Sequence, residues 1–204
     1  MVTIIQAAVE GIVDEAVLRR LIAHAGGQVG TVYGRSGKPA LREKIKGYNN
    51  AAHFTPWVVL WVVLVDLDND ADCAPPIRNA WLPVPAPYLC FRIAVREAEA
   101  WLMADKQTLA SYLRVKANDV PAEPEKLKHP KDAMVNLARG SRRRDVLSDI
   151  VPRENSGRRV GPAYASRLVE YAQMHWRPEV AAGHAESLRR AIYRLQELVR
   201  VKDR

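Results

Sequence analysis

The sequence predicts an α/β fold: a compact Rossmannoid, mostly parallel sheet over residues 1–105, followed by a basic helical extension over residues 106–204 that packs on it. Three observations predict this. Trp57 to Val65 is nine apolar residues without a break, rich in Val and Trp, the pattern of a strand buried on both faces as in a parallel sheet. Up to Asp105, strand patterns alternate with amphipathic helical ones. From Lys106 onward the strand patterns vanish and helical ones take over.

The elements follow in order. Val2 to Val9 reads as a first strand. Gly11 then permits a tight turn, and Asp14 caps or opens a helix over about 15–25, with Val17, Leu18, Leu21 and Ile22 as its buried stripe and Gly26-Gly27 as its stop. Gln28 to Tyr33 reads as a second strand. The turn after it, Gly34-Arg35-Ser36-Gly37-Lys38-Pro39, is not a P-loop, because only two residues separate the glycines and Pro39 stands where a hydroxyl is needed. It leaves Lys38 and backbone N–H groups available to a phosphate. A helix follows over about 39–52, with Leu41, Ile45 and Tyr48 facing inward. After the central strand come a short segment from Cys73 to Trp81 and a proline-rich loop at Pro83, Pro85 and Pro87. Tyr88 to Val95 is the next strand, running directly into a helix over 96–105.

In the second part, Gln107 to Leu113 is a short helix and Val120 to Pro130 a proline-punctuated linker. Pro130 and Gly140 bracket a helix over 131–139. A basic knot of Arg139, Arg142, Arg143 and Arg144 precedes a short helix ending at Ile150. Asn155 to Pro162 is a basic loop in which Gly157 and Gly161 would let backbone approach a ligand and Arg158 and Arg159 supply phosphate-matching forks. Two helices, about 163–175 and 185–199, finish the chain.

Charge is unevenly distributed. Residues 1–105 carry 10 Lys+Arg against 11 Asp+Glu, and residues 106–204 carry 21 against 12, for a net charge of +8. A near-neutral first part beside a basic second part suits a polyanion as partner. Cys73 and Cys90 lie far apart, which excludes a disulfide framework or thiolate zinc site, and Cys90 sits in a core strand pattern. The five histidines show no zinc-binding spacing. The N-terminus lacks a basic region and a long enough apolar run for a signal peptide, and the longest apolar run falls short of the roughly 20 residues that span a bilayer. The expectation is a soluble, cytoplasmic chain with no membrane partner.

Acids mark the strand ends. Asp66, Asp68 and Asp70 stand at alternate positions where the central strand leaves the core, so continued extension would put them on one side with Leu67 on the other. Glu10 falls at the end of the first strand, with Asp14 just after it, and Glu97 and Glu99 in the first turn after the last strand. In open α/β sheets ligands bind at the carboxyl ends of strands. Oxygen-only ligation of this kind suits Mg²⁺ or Mn²⁺.

Two segments, VEGIVDE (Val9 to Glu15) and VDLDND (Val65 to Asp70), resemble the signature motifs of the Toprim domain, shared by topoisomerases, primases and OLD-type nucleases. FRIAVREAEAWLMAD (Phe91 to Asp105) and SGRRVGPAY (Ser156 to Tyr164) resemble a family of small Toprim-like proteins often encoded beside AAA-type ATPases in bacterial defence loci. The resemblance implies that Glu10 is the Toprim glutamate, that Asp66 and Asp68 are the metal-binding Asp-x-Asp pair, and that Asp14 is the second acid of OLD-type nucleases. Glu97 or Glu99 would complete a second metal site. No tyrosine stands in a topoisomerase-like context, so strand passage is not implied. Lys38, Arg158 and Arg159 are the candidates for the partner lysine's role.

The expectation is therefore a Mg²⁺- or Mn²⁺-dependent nuclease acting on DNA or RNA in anti-phage or mobile-element defence. Glu10 would serve as ligand or general base, Asp66, Asp68 and Asp70 as metal-site acids, and Arg158 with Arg159 and Lys38 as phosphate contacts. The alternative is a non-catalytic module that binds nucleic acid or an AAA-type ATPase and keeps the acids for structure. A receiver-like phosphoryl acceptor is a weaker third reading, since it needs a lysine-bearing strand end that the sequence lacks.

Overall fold

A computed structural model describes residues 3–54 and 59–202. Strands β1 (Ile4–Val9), β2 (Gln28–Gly34), β3 (Leu60–Asp66) and β4 (Leu89–Ala94) form one parallel sheet in the order β2-β1-β3-β4. The helices are α1 (Ile12–His24), α2 (Gly37–Phe54), α3 (Ala74–Trp81), α4 (Ala98–Met103), α5 (Lys106–Leu113), α6 (Pro130–Arg139), α7 (Arg144–Ile150), α8 (Tyr164–Met174), α9 (Pro178–Ala181) and α10 (Glu186–Lys202). This is the α/β class the sequence predicts, a parallel sheet with helices followed by a helical C-terminal part. Val2, Trp57 and Val58, where two of the predicted strands begin, lie outside the described residues.

The two-residue period of the strands sorts side chains between two helical layers. Ile5, Ala7 and Val9 of β1 and Leu60, Val62 and Leu64 of β3 face one layer, where α1 lays down Val17, Leu18, Leu21 and Ile22. Ala8, Trp61, Val63 and Val65 face the other, against Leu41 and Ile45 of α2 and Trp81 of α3. With helices on both faces, β3 is buried along its whole length up to Asp66, as its unbroken apolar run requires. Each fully buried aliphatic side chain contributes about 1.5–3 kcal/mol relative to exposure.

The C-terminal helices share the first of these cores. Leu109, Leu168, Tyr171, Trp176, Leu188 and Leu195 belong to the same buried cluster as β1 and α1. Trp101 of α4 is fully buried there, its indole N–H donating to Ser187 Oγ at 2.7 Å.

Several expectations need correction. The acidic segment does not continue extended past Asp66. Asp68 adopts φ 52°, and the Asp70 N–H donates to Leu67 O at 3.3 Å, so the chain turns at once and the alternation of Asp66, Asp68 and Asp70 is lost. Gly11 is in ordinary extended backbone, φ −146° and ψ −178°, which any residue adopts. The glycine that the turn geometry does demand is Gly34, at φ 91° with a Cβ position 2.1 Å from Val9 O. Residues 120–130 are not a bare linker. They hold a 3₁₀ turn, Pro124–Lys126, with Val120 and Pro124 buried and the Glu125 carboxylate accepting the Glu186 and Ser187 N–H groups at the start of α10. Helices α3 and α9 went unpredicted because each has proline in its first turn, where a missing N–H costs nothing. Gly161 serves internal packing rather than ligand approach: a Cβ there would lie 2.4 Å from Asp149 O in α7.

Candidate functional site

Strand order reverses between β1 and β3, and in doubly wound sheets the crevice outside the strand ends at that point is where ligands bind. Glu10 follows the last residue of β1 and Asp66 is the last residue of β3. The two meet there: Glu10 Oε1 accepts the Asp66 N–H at 2.8 Å. The Asp66 carboxylate in turn accepts, through Oδ1, the N–H of Ala98 at the start of α4, 2.9 Å away. Asp14 does not precede the helix, as the sequence suggests, but is the third residue of α1, from where its Oδ2 reaches back to accept the N-cap Gly11 N–H at 2.9 Å. Each of these three carboxylates keeps a second oxygen that no described residue bonds.

Crowding of like charge dominates the electrostatics. Burial, with Asp68 and Asp70 adding, pushes the Glu10 carboxyl up to about 7 against the pull of the Asp66 N–H and Lys38. Asp14 is pushed up to about 7 by burial and then by the charges of Glu99 and Glu10. Asp66 is held well above the usual carboxylate range by burial and by Asp14, Glu99, Glu10 and Asp68. Glu97, which stands at the N-cap position of α4 but turns its carboxylate to the Lys131 N–H at 2.6 Å, is raised by burial and by Glu99. Glu99 is only 3% exposed. It accepts the Tyr164 hydroxyl at 2.9 Å and has Lys131 Nζ 3.7 Å away. Glu10, Asp14, Asp66, Glu97 and Glu99 thus belong to one electrostatic cluster drawn from three separate segments of chain.

Asp68 and Asp70 form an outer group. Both bind Lys38 Nζ, at 2.5 and 2.9 Å, and both are about half exposed. The backbone turn that carries them is pinned by Arg96, whose guanidinium donates to the carbonyls of Asp68 and Ala71. Lys38, expected at a phosphate, is engaged by these carboxylates. Glu15, next to Asp14, is taken by Arg19 and Arg35.

The basic loop makes no ion pair with these acids. The Arg159 guanidinium grips Asp132 at 3.0 and 3.1 Å, beside the N-terminus of α6, and Arg158 is exposed. Neither forms an ion pair with any of the seven predicted acids. The groups that do join the cluster from the second half are Lys131 and Tyr164, which sequence reading passed over. A signal for Lys131 existed: Pro130 marks a helix start, and a lysine in a first turn opposes the helix dipole. Lys38 at the start of α2 repeats the anomaly. For both lysines burial alone would lower the pKa, yet the surrounding carboxylates raise it.

The donor set fits a hard divalent cation: carboxylate oxygens, three unused, with no thiolate or imidazole. Their arrangement fits less well. Among the described residues no three acidic, histidine or cysteine side chains are disposed to hold a metal ion as they stand. Among the described residues, too, no helix is long and apolar enough to cross a membrane. Comparison with protein-family models, curated proteins and solved structures finds no match.

Proposed function

We propose that the strand-end acids form the metal centre of a Toprim-type nuclease that hydrolyses phosphodiester bonds in DNA or RNA with Mg²⁺ or Mn²⁺. One observation carries the reading: Glu10 and Asp14 from the β1–α1 junction and Asp66 from the end of β3 crowd together at the sheet's switch point with unused oxygens and a raised proton affinity. Carboxylates held in that state without a matching cation are costly, and a divalent ion replaces the protons they would otherwise take up.

Asp66 and Asp68, with Glu97 or Glu99, would hold the ion, with Asp14 and Asp70 at its margins. When bound, such a cation supplies Lewis-acid polarisation and a water of lowered pKa. Glu10, hydrogen-bonded to the Asp66 backbone at the same strand-end site, would serve as a further ligand or as the general base that takes a proton from an attacking water. Lys38 and Lys131 balance charge around the acids. Arg158 and Arg159 would meet phosphates of the substrate, and a role in defence beside an AAA-type ATPase belongs to the same proposal.

The second reading, a non-catalytic module binding nucleic acid or such an ATPase, is favoured by a specific observation: every acid of the cluster already has a hydrogen-bond or ion-pair partner. One experiment separates the two. The purified chain is incubated with plasmid DNA and with RNA in Mn²⁺, alongside Glu10→Gln and Asp68→Asn, and Mn²⁺ binding is followed by thermal shift. A nuclease cleaves only with metal, loses cleavage in both variants and gains thermal stability with Mn²⁺ as RT ln(1 + [L]/Kd). Unchanged cleavage in both variants, or a melting temperature indifferent to Mn²⁺, overturns the metal-centre reading.

A further inference from the structure

A cavity of about 390 Å³ opens at the free edge of the sheet, where β4 runs between α3 and α10. Phe91 and Ile93 line it from β4, Pro75 and Arg78 from α3, and Arg190 from α10, with Arg92 between them. A smaller cavity of about 90 Å³ shares Arg78, Phe91 and Arg92 and adds Arg194. Four guanidiniums therefore gather at one sheet edge.

Their counter-charges do not balance. Arg190 pairs with Glu186, and Arg194 with Glu197 at 3.1 Å. Glu125, the other acid on the cavity wall, is occupied by the N–H groups and hydroxyl at the start of α10. Arg78 and Arg92 form no ion pair with a described residue, and Arg92 Nε is buried without a hydrogen-bond partner, although the Arg92 side chain also meets the Cys90 thiol and feels the Glu197 carboxylate. A buried charged donor without an acceptor is costly in a folded chain, and here it projects from a strand beside a cavity. Arg92, Arg194 and Arg78 all bear on the buried Cys90 thiol, which burial pushes up against their pull, so the three positive charges converge on one place.

We infer that this edge cavity is a phosphate-monoester site, with the guanidiniums of Arg78 and Arg92 holding the phosphate and the Phe91–Ile93 floor receiving the organic group. Two unpaired guanidiniums match the two charges a phosphate monoester carries above its second pKa of about 6. A carboxylate would satisfy only one fork. The cavity volume lies within the range of small-ligand sites. None of these residues belongs to the acid cluster, so the inference stands or falls apart from the nuclease reading.

The test uses the full chain in metal-free buffer at constant ionic strength, with calorimetric titration of inorganic phosphate, adenosine monophosphate, and a short oligonucleotide with or without a terminal phosphate. Phosphate and the mononucleotide are expected to bind saturably, and Arg78→Gln and Arg92→Gln each to weaken binding by about tenfold or more, the size of a lost charge-assisted hydrogen bond. Arg78 is exposed on its helix, so its variant reports on binding even if Arg92→Gln disturbs the strand. Preference for the phosphorylated oligonucleotide, removed by Arg78→Gln, identifies a strand end as the source; binding of the mononucleotide alone identifies a free nucleotide. Affinity unchanged within twofold in both variants, or a response to phosphate no greater than to chloride, overturns the inference.

Discussion

Two regions bury carboxylates in opposite ways. At the start of α5, Asp105 is fully buried, and every interaction it makes is favourable: Arg177 meets it with both arms of its guanidinium, at 2.7 and 3.0 Å, and with its backbone N–H at 3.1 Å. At the strand ends, Asp14, Asp66 and Glu99 are also secluded, but their nearest charges include one another. The first arrangement ties α9 to α5 and needs nothing more. The second leaves repulsion that Lys131, the cation nearest the inner acids, relieves only in part. Proteins tolerate such unrelieved charge mainly where a ligand or reaction uses it, and this contrast separates a structural acid from a functional one better than burial does.

The largest test of the contrast is Asp105→Ala. It strips three hydrogen bonds and the partner charge from Arg177, and should cost about 3 kcal/mol of unfolding free energy in urea denaturation. A loss below about 1 kcal/mol would remove Asp105 from the structural class.

Asp14→Asn should do the reverse. The amide oxygen can still accept the Gly11 N–H while the repelling charge disappears, so in metal-free buffer at pH 8 the variant should be more stable than the parent by about 1–2 kcal/mol. The gain should fade at pH 5.5, where Asp14 of the parent is itself protonated.

The pH profile of the unmodified chain follows the same sign. Folded Glu10 and Asp14 titrate at about 7, above their ordinary values of 4.5 and 3.8, so between those limits the native state binds more protons than the unfolded one. Their contribution to stability is then greatest at low pH and falls as pH rises to about 7, beyond which it is flat. Without metal, the melting temperature should drop by several degrees between pH 5.5 and pH 7.5. Under the metal-centre reading Mn²⁺ should shrink this drop, since the ion binds the deprotonated acids more tightly. A flat profile would mean the acids are not crowded.

Smallest is Lys38→Met. Its two partners are about half exposed, which limits the stability loss to less than about 1 kcal/mol. Removing its charge should nonetheless raise the Glu10 pKa above about 7, visible in carboxyl-carbon NMR titration, because Lys38 is one of the groups holding it down.

How far the site was legible follows from chain separation. Glu10 and Asp66 could be placed in one layer from local patterns alone, because each ends a strand and parallel strands end on the same side. The continuation to Asp68 and Asp70 was misread because one residue in left-handed backbone, Asp68, ends the alternation on which the reading depended. Lys131 and Tyr164 were missed because they lie more than 30 residues from the glutamates they contact, on helices whose own amphipathic patterns advertise only a core. The basic loop drew attention by composition, yet Arg159 spends its guanidinium on Asp132.

By itself the sequence determined the α/β class, the parallel sheet and the acids at the strand ends, since these rest on short-range periodicity and on where apolar runs stop. Only the tertiary structure decided which acids crowd together, that Lys38 answers the outer pair while Lys131 and Tyr164 answer the inner one, and that Arg92 Nε is left without an acceptor. The physical reason is that a side chain's pattern records which face it occupies, whereas its charge environment is set by whatever other segment the fold brings against that face.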